Sequence, residues 1–458
     1  MGILAAYAVP HPPLIIPDCG CGKELEIQST VDAFEEIAIR IALEDPDTII
    51  VSSPHAPYYG DFFFIDCAER FAADFRSFGA PNDKVDVQCD REMADAIIAR
   101  ASSATPAIRM KSSQGFRPRL DHGTFIPLWF IDRAYAELGI ENPRYELVRL
   151  GLSTLPSEMN RELGRIIADV AEEQGKKAIF VASGDLSHKL LAEGPYGISK
   201  AGLEFEERIQ QILGSTDFDA LFDFTDEFRD AAAECGLGSF QMMAGALERS
   251  AETQGYSIAP KLLSHEGPFG VGYGVASYTL VDPCIELARR TVEAFANTGA
   301  PIERPADLPQ WMLEKSAATF VSLHIGDTLR GCIGTLSPAR ECIADEIIGN
   351  AVWACSEDRR FMPVEPDELD YIAYSVDVLE EPEPIDSPDQ LDVKVYGVIV
   401  TKGNRRGVLL PDLEGVDTVE QQIAIAKRKA GIISFERDVE LQRFKVVRHT
   451  LGGQARVV

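Results

Sequence analysis

Apolar residues over the first 280 or so positions fall into short runs that alternate with longer amphipathic stretches. The runs ILAAYAV (3–9), TIIVSS (48–53), AIFVAS (178–183) and GVGYGVASYTLV (270–281) have the length and composition of buried strands. Between them the pattern turns helical. It does so over about 24–44, ending before EDPD, over the amphipathic stretch SEMNRELGRIIADVAEEQG, and over 203–213, 217–222 and 240–254. Strands alternating with helices predict an α/β fold built on a mostly parallel sheet with covered faces.

Near Asp282–Cys284 the pattern resets. ELARRTVEAFANTG reads as a helix closed by Gly299, and the Pro-rich stretch APIERPADLPQW follows. The predicted division is therefore a first domain over 1–281 and a second over 284–458. The second has its own strands, ATFVSLHIG, LRGCIGT, YIAYSVDVL, GVIVTKG and RGVLLP, with helices around 340–355 and 418–431. It reads as a smaller α+β domain. Neither domain shows an internal repeat or a low-complexity tract.

Composition narrows the function classes. The 458 residues are 45% hydrophobic and 26% charged, which is ordinary for a globular protein, but the net charge is −29. Binding to phosphate backbones or anionic lipid needs the opposite sign, so neither nucleic acid nor a membrane surface is an expected partner. No segment approaches the ~18–20 apolar residues of a membrane-spanning helix. The opening MGILAAYAVPHPP lacks the basic flank of a signal peptide, and a cytoplasmic location is expected. The nine cysteines are odd in number and scattered, which fits a reducing compartment rather than a disulfide framework. The pair Cys19 and Cys21 has no second pair at zinc spacing and reads as structural.

Of seven histidines, three share one context. His11 and His55 each come two residues after an apolar strand, and His188 follows AIFVAS in SGDLSH. In an open α/β sheet, ligands bind beyond the carboxyl ends of the strands, so three histidines delivered to that edge can converge on one site. A single such histidine is more often a cap or a surface residue. The flanking prolines in PHPP and SPHAP stiffen both loops, although prolines also simply end strands. Two histidines and a carboxylate form the facial triad of non-haem Fe(II) oxygenases. Candidates for a third ligand are Glu234, Cys235, Asp185 and Glu266. An acid just before a helix is also ordinary helix-terminus chemistry.

The ordered motifs PHPPLI, SSPHAPYYGDFF, LDHGTFIPL, ASGDLSH, ECGLGSFQMMAGAL and HEGPFGVGYGVA resemble the LigB-like class III extradiol dioxygenases and a related group, the Memo family. The second domain resembles an AMMECR1 domain through LRGCIGT, DRRFMPVEPDEL, GVIVTKGNRRGVLLP and KRKAG. The two in this order resemble the A component of the AmmeMemoRadiSam system. The resemblance implies an Fe(II) centre held by His11 and His55 with Glu234, as in the dioxygenases, or Cys235, as in Memo-type proteins. It implies His188 as catalytic acid/base, Asp185 as its orienting carboxylate, and His122 of LDHG lining the substrate pocket. A small aromatic diol and O₂ would then be the substrates. If Cys235 is the ligand, the softer thiolate admits Cu or Zn, and the implied role is redox or regulatory, alongside a radical-SAM partner. Homo-oligomerisation is left open. In the second domain Cys332 is the one reactive candidate, with Arg330 as a neighbouring cation, though a free cysteine is more often a small buried hydrophobe. Arg359, Arg360, Arg405 and Arg406 read as solvated charges rather than an anion site.

Overall fold

The first predicted run is strand β1 (Gly2–Val9), and it lies inside an eight-stranded sheet. The computed structural model describes residues 2–104, 109–112, 119–140, 145–305, 308–326, 328–413, 415–433, 436, 438–450 and 456–457. Contacts divide the chain into two units, Met1–Leu280 and Val281–Val458.

In the first unit β1 is followed by α1 (Pro17–Gly20), α2 (Gln28–Glu44), β2 (Thr48–Ser53), β3 (Phe63–Ile65), β4 (Arg70–Phe75), β5 (Ala80–Gln88), α3 (Arg91–Ala104), β6 (Met110–Ser112), α4 (His122–Glu137) and β7 (Glu146–Gly151). Then come α5 (Ser157–Glu173), β8 (Lys177–Ser183), α6 (Lys200–Leu213), α7 (Asp226–Ala232), α8 (Leu237–Gln254), β9 (Ser257–Glu266) and β10 (Tyr273–Val281). The sheet order is β6-β3-β7-β2-β8-β1-β10-β9. Strands β7, β2, β8 and β1 are parallel neighbours, while β10 joins β1 and β3 joins β7 antiparallel.

The continuous apolar runs follow from burial on both faces. Ile50, Phe180 and Ala182 point into one core, against α5 and α8, while Ile49, Val51, Ile179 and Val181 point into the other, against α2 and α4. Helix α4 was not apparent in the sequence. It is apolar nearly all round and carries Pro127 in its interior, so it shows no amphipathic stripe.

The second unit runs α9 (Pro283–Thr298), α10 (Gln310–Glu314), β11 (Thr319–Ile325), β12 (Thr328–Gly334), α11 (Ile343–Ser356), β13 (Ile372–Leu379), β14 (Glu383–Ile385), β15 (Gly397–Lys402), β16 (Arg405–Leu409), α12 (Val419–Lys429), β17 (Glu440–Phe444), β18 (Val446–Thr450) and β19 (Arg456–Val457). It holds a five-stranded sheet, β12-β11-β13-β18-β19, and a four-stranded one, β14-β17-β15-β16. Leu287, Ala288 and Val292 of α9 and Ile347 and Ala351 of α11 cover Val321, Leu323 and Val376 of the larger sheet. Asp282 caps α9 through Oδ1, and its Oδ2 accepts from His449 Nδ1 at 2.6 Å, which ties the start of this unit to β18. Among the described residues no helix is long and apolar enough to cross a membrane.

Candidate metal centre

Strand β8 lies between β2 and β1, so the loops after β1 and β2 meet above its carboxyl end. His11 leaves the first loop and His55 the second, and their Nε2 atoms face one another at 3.0 Å. Cys235, in the turn between α7 and α8, brings Sγ to 3.7 Å from His11 Nε2. His11 is buried, Cys235 half-buried and His55 open to solvent, so the cluster has one accessible side. Two imidazole nitrogens each ~2.1 Å from one ion, at an angle of about 90–110°, stand ~3.0–3.4 Å apart, and such a nitrogen stands ~3.6 Å from a thiolate at ~2.3 Å. The spacings fit one shared cation.

Close backbone approach makes this possible. A Cβ on Gly184 would lie 2.0 Å from the Cα of Gly236, so only glycine lets the Cys235 turn close onto the end of β8. Ala233, two residues before Cys235, has a left-handed φ of 53°, an uncommon conformation for a residue with a side chain. The ring of His11 is fixed from behind by the buried Ser183 at the end of β8, whose Oγ is 2.9 Å from Nδ1. A proton on Nδ1 donated to Ser183 leaves the Nε2 lone pair facing the cluster. The His11 backbone N–H donates to Asp185 Oδ1 at 2.7 Å. The His55 backbone N–H donates to Ser53 Oγ, which itself donates to Asp121 Oδ1 at 2.6 Å.

Residues 5–276 match the family described as the catalytic LigB subunit of aromatic ring-opening dioxygenase, and residues 285–449 match the AMMECR1 family. A Clostridium acetobutylicum protein is 35% identical across 98% of this chain and 99% of its own length. The chain belongs to the LigB family. Its C-terminal domain is an AMMECR1 domain, for which a Thermotoga maritima protein is 50% identical across 36% of this chain and 97% of its own length. The solved structure of protein PH0010 from Pyrococcus horikoshii aligns at 30% identity over 38% of this chain and 95% of its own, with a TM-score of 0.35.

Within this LigB-type domain the other predicted residues divide into two groups. His122 is the first residue of α4, behind the cap Asp121, and its ring centroid lies 5.2 Å from that of His11 and 4.1 Å from that of His55. His188 Nε2 is 3.8 Å from Asp185 Oδ2. These three border the donor cluster. Glu234 does not join it. Its Oε1 accepts from Arg229 Nε at 2.7 Å and its Oε2 accepts the Leu237 N–H of α8 at 2.7 Å. Of the two residues left open in the sequence, the thiol carries its donor atom to the histidines, and the carboxylate is held by Arg229 and the helix terminus. Glu266 is also elsewhere, accepting from Thr30 N–H at 2.8 Å and from its hydroxyl.

The charges are arranged to receive a cation. The ring of His55 is shielded from water on the side that faces the cluster, and this desolvation, then the neighbouring His11, lowers its pKa although the residue has an open side. Burial with the charges of His11 and His55 takes His122 down to about 4, so that ring is neutral at physiological pH. Asp185 is pushed up by burial, but the pull of His11 and His188 outweighs that and leaves it below the usual carboxylate range. Burial, Asp185 and Glu234 hold the Cys235 thiol well above its ordinary range. Without a cation Cys235 is therefore a thiol, and loading the site releases its proton. Sequence reasoning missed Ser183, Arg229 and two aromatic neighbours. Phe78 lies 5.4 Å from the His122 ring and Tyr196 lies 5.2 Å from the His188 ring. Only Ser183 stood inside a motif already singled out, as the last residue of AIFVAS and the first of SGDLSH.

Proposed function

We propose that the N-terminal domain is a metal-dependent oxidoreductase of the ring-opening dioxygenase type. In this reading His11, His55 and Cys235 hold Fe(II), and the substrates are a small aromatic diol and O₂. The supporting observation is the convergence of three donor atoms at one end of the parallel strands, with neutral His122 beside both histidine rings and Asp185 between His11 and His188. A bound iron supplies Lewis acidity to a phenolic oxygen and electrons to dioxygen. His188 accepts a phenol proton and later returns it, with Asp185 holding its ring; such acid–base help is worth ~10²–10⁴-fold. His122 offers a hydrogen bond to a substrate oxygen. Exposed Phe78 and Tyr196 offer ring faces to an aromatic substrate.

One observation favours a second reading. The third donor is sulfur, which suits Cu or Zn as well as iron, and a site of that kind serves a Memo-like redox role with a radical-SAM partner. Metal analysis of anaerobically purified protein, followed by oxygen uptake with a panel of catechols, separates the two. About one iron per chain with catechol-dependent uptake supports ring opening, and uptake should then collapse in His188→Ala. Bound metal with no uptake across the panel supports the redox reading. Equal metal content in wild type and His11→Ala would sink both.

A further inference from the structure

The segment 184–189, which carries Asp185 and His188, has no helix or strand of its own. Such a segment keeps its shape only through the partners its backbone finds elsewhere. The Leu186 N–H donates to the Gly272 carbonyl at 2.9 Å, and the Gly272 N–H donates to the Ser187 carbonyl at 2.8 Å. The Ser187 N–H donates to a side chain instead, Oε1 of Glu206 on α6, at 2.7 Å. That carboxylate is buried, and its Oε2 accepts from His265 Nε2 of β9 at 2.7 Å. A Cβ on Gly272 would lie 2.1 Å from Oε1, so the carboxylate is seated against bare backbone just before β10. A buried carboxylate is costly unless its oxygens are paired. Here one is paired by the segment that carries His188, and the other by the histidine of HEGPFG, a motif the candidate metal centre does not use.

Ser187 carries the connection further. Its buried hydroxyl donates to the Ala232 carbonyl at 2.8 Å and accepts the Lys189 N–H at 3.0 Å. Ala232 directly precedes the left-handed Ala233, from which the Cys235 turn departs, and Lys189 directly follows His188. One serine thus joins the segment holding His188 to the turn holding Cys235. We propose that Glu206, held by His265, is a positioning residue that sets, through Ser187, both the aim of His188 and the approach of Cys235 to His11. The inference rests on the reading of His11, His55 and Cys235 as a metal centre. What Glu206 supplies is an acceptor for the Ser187 N–H, so an amide in its place serves and an apolar side chain does not.

Cobalt(II) is the probe, because a thiolate bound to it gives a near-ultraviolet charge-transfer band that reports Cys235 without any turnover. In the full chain Glu206→Leu should weaken cobalt binding about 10–100-fold in chelator competition, as loss of an outer contact does, and reduce the thiolate band. Glu206→Gln should restore both. In the metal-free chain, amide exchange over 184–190 should quicken about tenfold in Glu206→Leu, as loss of a hydrogen bond to a charged acceptor gives. Ser187→Ala keeps the backbone bond to Glu206 and should quicken exchange over 231–236. Glu206→Leu with wild-type cobalt affinity and exchange would overturn the proposal alone. So would equal losses in Glu206→Leu and Glu206→Gln, or exchange quickened evenly along the whole chain, since either marks general loosening. A wild-type chain that takes up no cobalt would remove the metal reading and this proposal with it.

Discussion

Ser183 shows how much of the candidate metal centre rests on a residue that carries no metal-binding chemistry of its own. Its Oγ fixes His11 at Nδ1, and the outward nitrogen depends on that contact for tautomer and aim. Ser183→Ala should lower metal affinity about 10–100-fold with little change in fold, as outer-shell losses do. A chelator-competition titration checks this; unchanged affinity would mean packing alone orients the ring. Asp132 offers a separate test, in proton linkage. Burial raises its pKa to about 6, opposed by the Tyr145 O–H that donates to it at 2.6 Å. Between the ordinary carboxylate range and about 6 the folded chain keeps a proton that the unfolded chain has released, so this group costs stability as pH rises. Asp132→Asn should therefore stabilise the protein at pH 7–8 by about 1–2 kcal/mol, after allowance for partial exposure, and by nearly nothing at pH 4. Urea unfolding at both pH values reads it, and a gain that persists at pH 4 would contradict the linkage. The histidines were legible because imidazoles after strands are few and chemically loud. Ser183 was not, since a serine closing a strand is ordinary until its partner, 172 residues away, is known.

Strand β7 is one of several elements absent from the sequence reading, and the reason is specific. Arg149 interrupts its apolar run, and a charged residue is almost never fully buried unless paired, yet it is only 1% exposed. Its guanidinium reaches Asp66 at 3.0 Å and Asp121 at 2.7 Å, and this pairing is what allows a charge inside the sheet. The pairing reaches the candidate metal centre, because Asp121 caps α4 just before His122 and accepts from Ser53 below His55. Arg149 and those contacts hold the Asp121 carboxyl at about 2 despite its burial. Arg149→Met should cost about 3–5 kcal/mol in denaturant unfolding, because it strands buried carboxylates rather than removing a pair cleanly. A loss below ~1 kcal/mol would show that water or protonation relieves them. The strands β1, β2, β8 and β10 were legible because each is apolar on both faces. The short strands β3 and β6, of three residues each, are too brief for any period to register. The turn carrying Cys235 depends on the contact of Gly184 with Gly236, and neither glycine announces its partner in the sequence.

At the scale of the whole molecule the chain divides into two units, Met1–Leu280 and Val281–Val458, and each has cores of its own. What the linear sequence shows most plainly here is charge: 73 acidic against 44 basic residues, a net of −29. Salt acts on that charge in two opposed ways. It weakens ion pairs such as Arg70–Asp86 and Arg165–Glu252, but these are exposed contacts of 2.5 and 2.7 Å, worth ~0–1 kcal/mol each and short compared with a Debye length of ~10 Å at 0.1 M. It weakens the repulsion of the 29 excess negative charges more, because that repulsion is summed over many charge pairs at long range, where screening acts most strongly. The net effect of salt should therefore be stabilising. Raising NaCl from 10 mM to 0.3 M at pH 7.5 and fixed metal content should raise the unfolding midpoint, by about 2–4 °C for each kcal/mol of repulsion relieved. A midpoint that falls instead would mean that the surface pairs act as cooperative networks and outweigh the excess charge. In that case charge-reversal of Arg165, within the cluster it shares with Arg249, Asp169 and Glu252, would be the variant that abolishes the salt response.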